Sequence, residues 1–278
     1  MRFAPATTHR VAVTLMWALA LTAIGLLMFI LGFILWHGLP HVTWTFLSQS
    51  PRLMGEQGGV LPMIVGTLCV TVLGLLIAAP LGVAAAIYLT EYTREGRLTS
   101  VIRFGADCLA GIPSIIFGLF GFVFFVITMG LGLCILSGAL TLTLMVLPTI
   151  IRTSEEAIRA VPRSYREVSY GLGSSRWQMV TRVVLKSAMP GIGTGIVLAM
   201  GRCIAETAAT MLTVGSALQF PESAFDSTRT LALHFYILSR EGLSMANAYA
   251  TASVLIIAML AINMLSRWLM SRYTARVR

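Results

Sequence analysis

Charge is scarce in this chain, and lysine is almost absent. Charged residues make up 11% of its 278 residues and apolar ones 57%, whereas a water-soluble domain would carry roughly a quarter charged residues. That shortage excludes water as the main solvent. Lysine occurs once, at Lys186, so the net charge of +9 is carried almost wholly by arginine. Because Lys186 follows Leu185 rather than a glycine, the chain has no Gly-Lys-Ser/Thr loop in which backbone amides and a lysine could hold nucleotide phosphates. Nucleic-acid binding would need a soluble basic patch with aromatic platforms, but these arginines fall between apolar runs. Cysteine is also sparse. Cys69, Cys108, Cys134 and Cys203 lie in or beside apolar stretches, none at CxxC spacing and none near a histidine at zinc-ligand spacing, so they read as small packing residues. His9, His37, His41 and His234 sit at or between segment ends and give a metal or catalytic role little support. No Ser/His, paired-Asp or His-Glu-x-x-His arrangement appears in the apolar stretches, which weighs against an intramembrane enzyme.

Long apolar runs are what the chain does have. A helix needs about 20 apolar residues to cross the hydrocarbon core, and six stretches qualify: Val11–Trp36, Leu61–Leu89, Gly105–Met129, Leu133–Ile151, Pro190–Ser216 and Ala246–Met270. The expected fold is therefore all-α and integral to a membrane, with six transmembrane helices in a single domain over residues 1–278. Arg2 and Arg10 precede the first run as they would in a signal peptide. Val11–Trp36 is far longer than the roughly 7–15 residues of a signal core, so it is expected to be an uncleaved first span. Gly130, Leu131 and Gly132 are all that separate the third and fourth runs, which predicts a tight hairpin. Arginine and lysine concentrate on the cytoplasmic side of bilayer proteins. With the N-terminus inside, Arg52, Arg229 and Arg240 are the only basic residues outside, Arg202 falls within a span, and the rest of the 20 lie inside. Both termini of this multi-pass chain are then cytoplasmic.

Two connections are long enough to have their own roles. In the outside segment Ala217–Met245, Leu231, Phe235 and Leu238 recur at helical spacing and predict a short helix at the outer face. The inside loop 152–189 carries stronger signals. Pro162 suits the first turn of a helix, and Gly171-Leu172-Gly173 suits its end. Tyr165, Val168 and Leu172 share a face between them. Ser174 or Ser175 can cap a second helix starting at Arg176-Trp177. A short amphipathic helix of this kind either lies flat on lipid headgroups or docks in a groove of a soluble partner.

The run Glu167-Val168-Ser169, three residues, Gly173, nine residues, Val183-x-Leu185 resembles the "EAA loop" of ABC-importer permeases. That pattern is Glu-Ala-Ala, three residues, Gly, nine residues, Ile-x-Leu-Pro. Here Val168-Ser169 replaces Ala-Ala, Val183 replaces Ile and Lys186 replaces the proline. Further blocks resemble the PstA-type phosphate permeases. They are Gly58-Gly59 through Thr67, Tyr88 through Tyr92, Gly111-Ile-Pro113-Ser114 through Gly121, Pro148 through Glu156, and Gly201-Arg202 through Ala208. The resemblance implies the type I ABC-importer permease fold, with Tyr165, Glu167, Val168, Leu172 and Gly173 coupling the chain to an ATPase dimer. It also implies a second homologous permease and an extracytoplasmic phosphate-binding protein as partners. This chain would bind no cofactor, ATP and Mg residing on the ATPase.

Arg202 and Glu206 stand one helical turn apart in the fifth expected span. Spacing of three and four residues joins Gly191, Gly195, Ala199, Arg202, Glu206, Thr210 and Thr213 into one stripe, small at one end and polar at the other. A charge at that depth costs at least about 2.5 kcal/mol and faces the bundle or a wet cavity. Either the pair neutralises itself and locks the bundle, or Arg202 offers its planar fork to a passing oxyanion while Glu206 holds it between turnovers. Arg152, at the inner end of span four, is a second candidate for the substrate pathway, though topology alone also accounts for it. Pro113 and Pro148 mark kinks or helix entries, and Asp107 sits at an interface. Two rival readings are a permease for another oxyanion and an ion-gradient transporter or channel that needs no ATPase.

Overall fold

A computed structural model describes residues 5–94 and 96–277. The chain is helical nearly throughout. Helix α1 (Pro5–Gly38) leads to a short α2 (Trp44–Ser48) and a two-stranded ribbon, β1 (Pro51–Arg52) antiparallel to β2 (Gln57–Gly58). Then come α3 (Leu61–Ile87), α4 (Arg97–Ala110), α5 (Ser114–Gly121), α6 (Ile135–Arg159) and α7 (Arg163–Gly171). The chain ends with α8 (Arg176–Met179), α9 (Leu185–Ala205), α10 (Ala208–Thr213), α11 (Leu231–Arg240) and α12 (Met245–Val277). Wide turns extend α3 through Tyr88–Tyr92 and α5 through Phe122–Thr128, and a third joins α8 to α9 through Val180–Val184. In the first two, an amide donates to the carbonyl five residues back, from Thr93 to Tyr88 and from Met129 to Phe124.

Among the described residues, five helices are long and apolar enough to cross a membrane: Ala12–His41, Leu61–Tyr92, Ile135–Arg159, Arg176–Ala205 and Met245–Arg272. A sixth span exists only if Thr99–Ala110 and Ser114–Thr128 count as one, and they bend by 99°. The expected third span, Gly105–Met129, is therefore corrected to two helices around Gly111-Ile112-Pro113. Pro113 has no N–H to continue α4, and its ring drives the preceding residue out of the helical region. Pro113 (φ −57°, ψ 139°) then starts α5. Pro148, by contrast, lies inside the uninterrupted α6.

The expected fifth span, Pro190–Ser216, is also displaced. Ser175 accepts a hydrogen bond from the Gln178 amide (3.3 Å), and the Gln178 side chain accepts one from the Ser175 amide (3.0 Å). This reciprocal cap starts the helix at Arg176, and it passes Lys186 and Pro190 without a break. It stops at Ala205. The fourth expected span likewise runs past Ile151 to Arg159, so loop 152–189 is mostly helix. The hairpin before it is as expected, with Gly130 (φ 68°) and Gly132 (φ 73°) both left-handed.

Small residues let the central helices touch. A Cβ on Gly74 would meet the Ala139 carbonyl at 3.2 Å, and one on Gly82 would meet Ile150 Cγ2 at 2.7 Å. At the first contact the Thr143 hydroxyl, 3.0 Å from the Gly74 carbonyl, ties α6 to α3. Gly191 and Gly195 of α9 lie against Ala157 and Thr153 of α6, so the small half of the expected stripe is a packing seam. Around these contacts Val70, Leu142, Met145, Val146 and Ala199 form the main core. A second cluster (Ile158, Val161, Met179, Val184) supports α7, and a third (Phe46, Met63, Leu231, Val254) supports α11. The two ends of the bundle are named below after these helices.

Candidate coupling surface and translocation face

At the α7 end, Pro162 precedes α7 and Gly173 (φ 78°) ends it. The Gly173 amide donates to the Tyr170 carbonyl (2.9 Å) and the Ser174 amide to Ser169 (3.2 Å). These bonds satisfy the last carbonyls in the manner of a glycine helix stop. One face of α7 points inward through Ser169, whose hydroxyl meets that of Ser174 at 2.6 Å. The other displays Tyr165 (51% exposed), Val168 (63%) and Leu172 (84%). Three apolar side chains on one short helix and its C-cap, exposed to this degree, form a contiguous apolar patch. Glu167 is exposed beside them and lines a cavity of about 600 Å³ whose walls include Arg103, Arg159, Arg163, Arg166 and Arg176.

Beneath that surface α7 is fixed by an ion pair that the sequence reading did not foresee. Arg166 donates from Nε (3.1 Å) and Nη2 (2.6 Å) to one oxygen of Glu91, at the end of the α3 extension. It also donates to the Val161 and Ile158 carbonyls, at 2.7 and 3.0 Å. Arg176 donates to the Glu91 carbonyl and lies over the Tyr92 ring, 5.0 Å from its centroid. Glu155 of α6 similarly takes Arg103 of α4 (2.6 Å) and Arg159 (3.0 Å). The available signal was a carboxylate directly after a long apolar run, which needs a cation close by.

Arg152 lies on α6, half exposed, 3.5 Å from Asp107 and 3.3 Å from Glu156. Arg202 lies near the end of α9, half-buried. The two candidates thus stand on different helices, and Arg152 already has two acids beside it. The single helical stripe through Arg202 and Glu206 is corrected. Glu206 is extended (φ −72°, ψ 128°), and its carboxylate accepts from the Ala209 amide at 3.1 Å, capping α10. A carboxylate that satisfies a free helical amide competes with continuation of the helix before it. Thr210 and Thr213 therefore belong to α10, and both are buried. No ion pair joins Arg202 to Glu206 among the described residues.

At the α11 end, Leu231 and Leu238 are buried as the spacing required, but the helix also buries His234 (1% exposed) next to Arg229 (3%). Among the described residues Arg229 meets neutral groups there. It donates to the Ser216 carbonyl (3.2 Å), the Met54 carbonyl (3.5 Å) and His234 Nδ1 (3.4 Å). His234 therefore accepts at Nδ1 and is neutral. Burial first, and the Arg229 charge second, push its pKa down to about 3, and burial alone lowers that of Arg229. Gly55 (φ 102°) lies flat on the imidazole, where a Cβ would sit 2.5 Å from Cε1. The Asn247 amide of α12 clamps the same turn through the Gly55 (3.2 Å) and Glu56 (2.8 Å) carbonyls. The reading of Arg229 as a loop cation missed this cluster. Its signal was the spacing Leu231, His234, Leu238, which places the histidine on the apolar face.

These features are those of a multi-pass membrane protein with an exposed apolar helix face and an arginine held within a long apolar helix. A model of the family described as "binding-protein-dependent transport system inner membrane component" matches residues 78–278, and the chain belongs to that family. It is 33% identical over 261 residues to the "probable ABC transporter permease protein YqgI" of Bacillus subtilis, covering 88% of this chain and 89% of that protein. It is also 33% identical over 274 residues to "phosphate transport system permease protein PstA 1" of Mycobacterium tuberculosis, covering 94% and 90%. In fold it resembles a chain of a bacterial alginate ABC transporter solved with its periplasmic protein, with a TM-score of 0.66 at 16% identity, covering 97% and 95%. The protein is thus a multi-pass inner-membrane permease of the ABC-importer kind.

Proposed function

We propose that this chain is the PstA-type permease subunit of an importer that moves inorganic phosphate by alternating access, driven by a separate ATPase dimer that holds ATP and Mg. The observation that carries the coupling role is the geometry of α7. Its base is clamped to α3 through Arg166 and Glu91, while Tyr165, Val168 and Leu172 stand exposed. A helix anchored in that way moves with the spans when a partner pushes on its free face. Glu167 and Gly173 frame that face. The α7 end is cytoplasmic in this reading, as the arginine distribution requires, and α4 with α5 makes the sixth span. Both termini are then inside.

The cargo is supported by the Mycobacterium tuberculosis relative, named for phosphate transport, and by the chemistry of Arg202. A guanidinium at membrane depth with no paired carboxylate can take a tetrahedral oxyanion on its two-pronged face. Glu206 is occupied at the start of α10, which leaves Arg202 open to the passage. Arg152, held by Asp107 and Glu156, would join the pathway only if those pairs open. A second homologous permease would complete the passage, and an extracytoplasmic binding protein would deliver phosphate at the α11 end. The test is uptake of labelled phosphate by the assembled importer in vesicles, with ATP supplied. Arg202→Lys keeps the charge and loses the fork, and a loss of about tenfold or more is expected. Uptake at the normal rate would remove Arg202 from contact with the ion, and uptake without an ATPase would favour a channel or gradient-driven carrier.

A further inference from the structure

A groove between α9 and α12 holds polar side chains that belong neither to the coupling surface nor to the surroundings of Arg202. The two helices run antiparallel and touch at two levels. Gly193 lies on Met270, and a Cβ on Gly201 would stand 4.0 Å from Met259 Cε. Between those levels the seam opens into a space of about 390 Å³, lined among others by Thr194, Leu198, Asn263, Ser266 and Arg267. Among the described residues that line it there is no acid. Asn263, Ser266 and Arg267 have no hydrogen-bond or ion-pair partner among the described residues. Yet Asn263 and Ser266 lie within the membrane-crossing part of α12, Met245–Arg272. Polar groups at that depth are expected to pair with one another or with a bound species. The neighbouring Arg272 is engaged elsewhere, over the Trp268 ring at 4.3 Å from its centroid.

We propose that this groove binds a phosphate oxyanion, with Arg267 supplying the charge and Asn263 and Ser266 the neutral donors. The donor set suits that ligand, since a guanidinium, an amide NH₂ and a hydroxyl all donate and a phosphate accepts on every oxygen. One uncompensated positive charge in a groove without carboxylates selects an anion over a cation. Position ties the groove to transport. Thr194 and Arg202 are eight residues apart on one helix, so they are separated by about 12 Å along it and about 80° around it. Leu198, exposed in the wall of the groove, is one helical turn from half-buried Arg202, which makes the groove the next polar station along α9 toward the α7 end. The phosphate is that of the transported ion or that of a lipid headgroup at the inner interface. The first source rests on the phosphate-import reading, and the second does not.

The experiment uses the complete importer in vesicles of phosphatidylcholine, with and without phosphatidylglycerol, and the variants Arg267→Gln, Asn263→Leu and Arg272→Gln. If the groove serves the ion, Arg267→Gln lowers labelled phosphate uptake about tenfold in phosphatidylcholine alone, the loss expected for one charge-assisted contact. Asn263→Leu lowers it less, and Arg272→Gln leaves it unchanged. If the groove serves lipid, uptake in phosphatidylcholine is unchanged, but the purified wild type retains phosphatidylglycerol by native mass spectrometry and Arg267→Gln does not. Wild-type vesicles that take up no phosphate would sink the cargo reading, while the lipid measurement still decides the groove. Variants equal to the wild type in both measurements, or an equal loss in Arg272→Gln, would overturn the proposal.

Discussion

The two ends of the bundle bury arginine in opposite ways. At the α7 end, Arg166 and Arg103 are each met by a carboxylate, Glu91 and Glu155, at 2.6 Å. At the α11 end, Arg229 is more deeply buried and meets only carbonyls and a neutral histidine. A charge pair ties two helices firmly but leaves donors for the cavity beside it and weakens if either partner is drawn away. A cation solvated by carbonyls has no counter-charge to exchange, so the loop that supplies those carbonyls is held in one shape. The α7 end is thus built from exchangeable pairs beneath an exposed apolar helix. The α11 end ties together the loop at Ser216, the Gly55 turn and α12.

The contrast can be broken at several places, and the largest effect falls on the clamp. Glu91→Ala strands Arg166 under α7. It should cost about 3–5 kcal/mol, the range for breaking a buried pair by removing one partner. Thermal unfolding in detergent would read this, and Glu91→Ala with Arg166→Met should recover much of the loss. A surviving α7 clamp in Glu91→Ala would refute the role given to the pair. At the other end, Arg229→Met leaves the Ser216 and Met54 carbonyls without their donor, an expected loss of about 1–3 kcal/mol. If the cap is as described, raising salt should not change the size of that loss, whereas salt should reduce any contribution from exposed pairs.

The pH response sharpens the comparison further. His234 has a folded pKa of about 3, below the ordinary value near 6.5, so the unfolded chain binds the extra proton between those values. Its contribution is complete above about pH 6.5 and is lost as pH falls toward 3. Between pH 6.5 and 5 the wild type should lose up to about 2 kcal/mol through this residue. His234→Gln should flatten that slope in a thermal-shift titration, and an unchanged slope would place the titrating group elsewhere. The smallest stability effects are expected at exposed sites. Arg152→Gln removes half-exposed pairs worth about 0–1 kcal/mol together. Leu172→Asp should alter stability by less than about 0.5 kcal/mol yet abolish co-purification with the ATPase. Retained co-purification would count against α7 as the docking element.

Much of this was legible in the chain. Apolar runs located α1, α3, α6, α9 and α12 closely enough to identify them. The Tyr165, Val168, Leu172 face and the Gly173 stop describe α7 in the sequence alone, and Leu231, Phe235 and Leu238 do the same for α11. The misreadings were at ends and breaks. Composition could not place the end of α9 at Ala205, because the Glu206 carboxylate interrupts it by accepting the Ala209 amide of α10 and the next residues are as apolar as those before. Hydropathy also treated Gly105–Met129 as one run, since a proline bend does not change the mean over a window. Arg202, Glu206 and Arg152 were picked out as charges at or near membrane depth, but which acid each would meet depended on helices far away in sequence.

What the sequence determined by itself is therefore the partition between lipid and water, and with it the five long apolar helices among the described residues and the amphipathic helix left exposed. Solvent transfer is a local quantity that adds up residue by residue, so it can be read along a line. Tertiary structure alone decided that Arg166 pairs with Glu91, 75 residues away, and that Arg229 is surrounded by Ser216, Met54 and His234. It also decided that α4 and α5 meet at 99° and that an acid-free groove opens beside Arg267. Those outcomes depend on which carbonyls and carboxylates the packed helices bring within about 3 Å, the range in which a hydrogen bond forms.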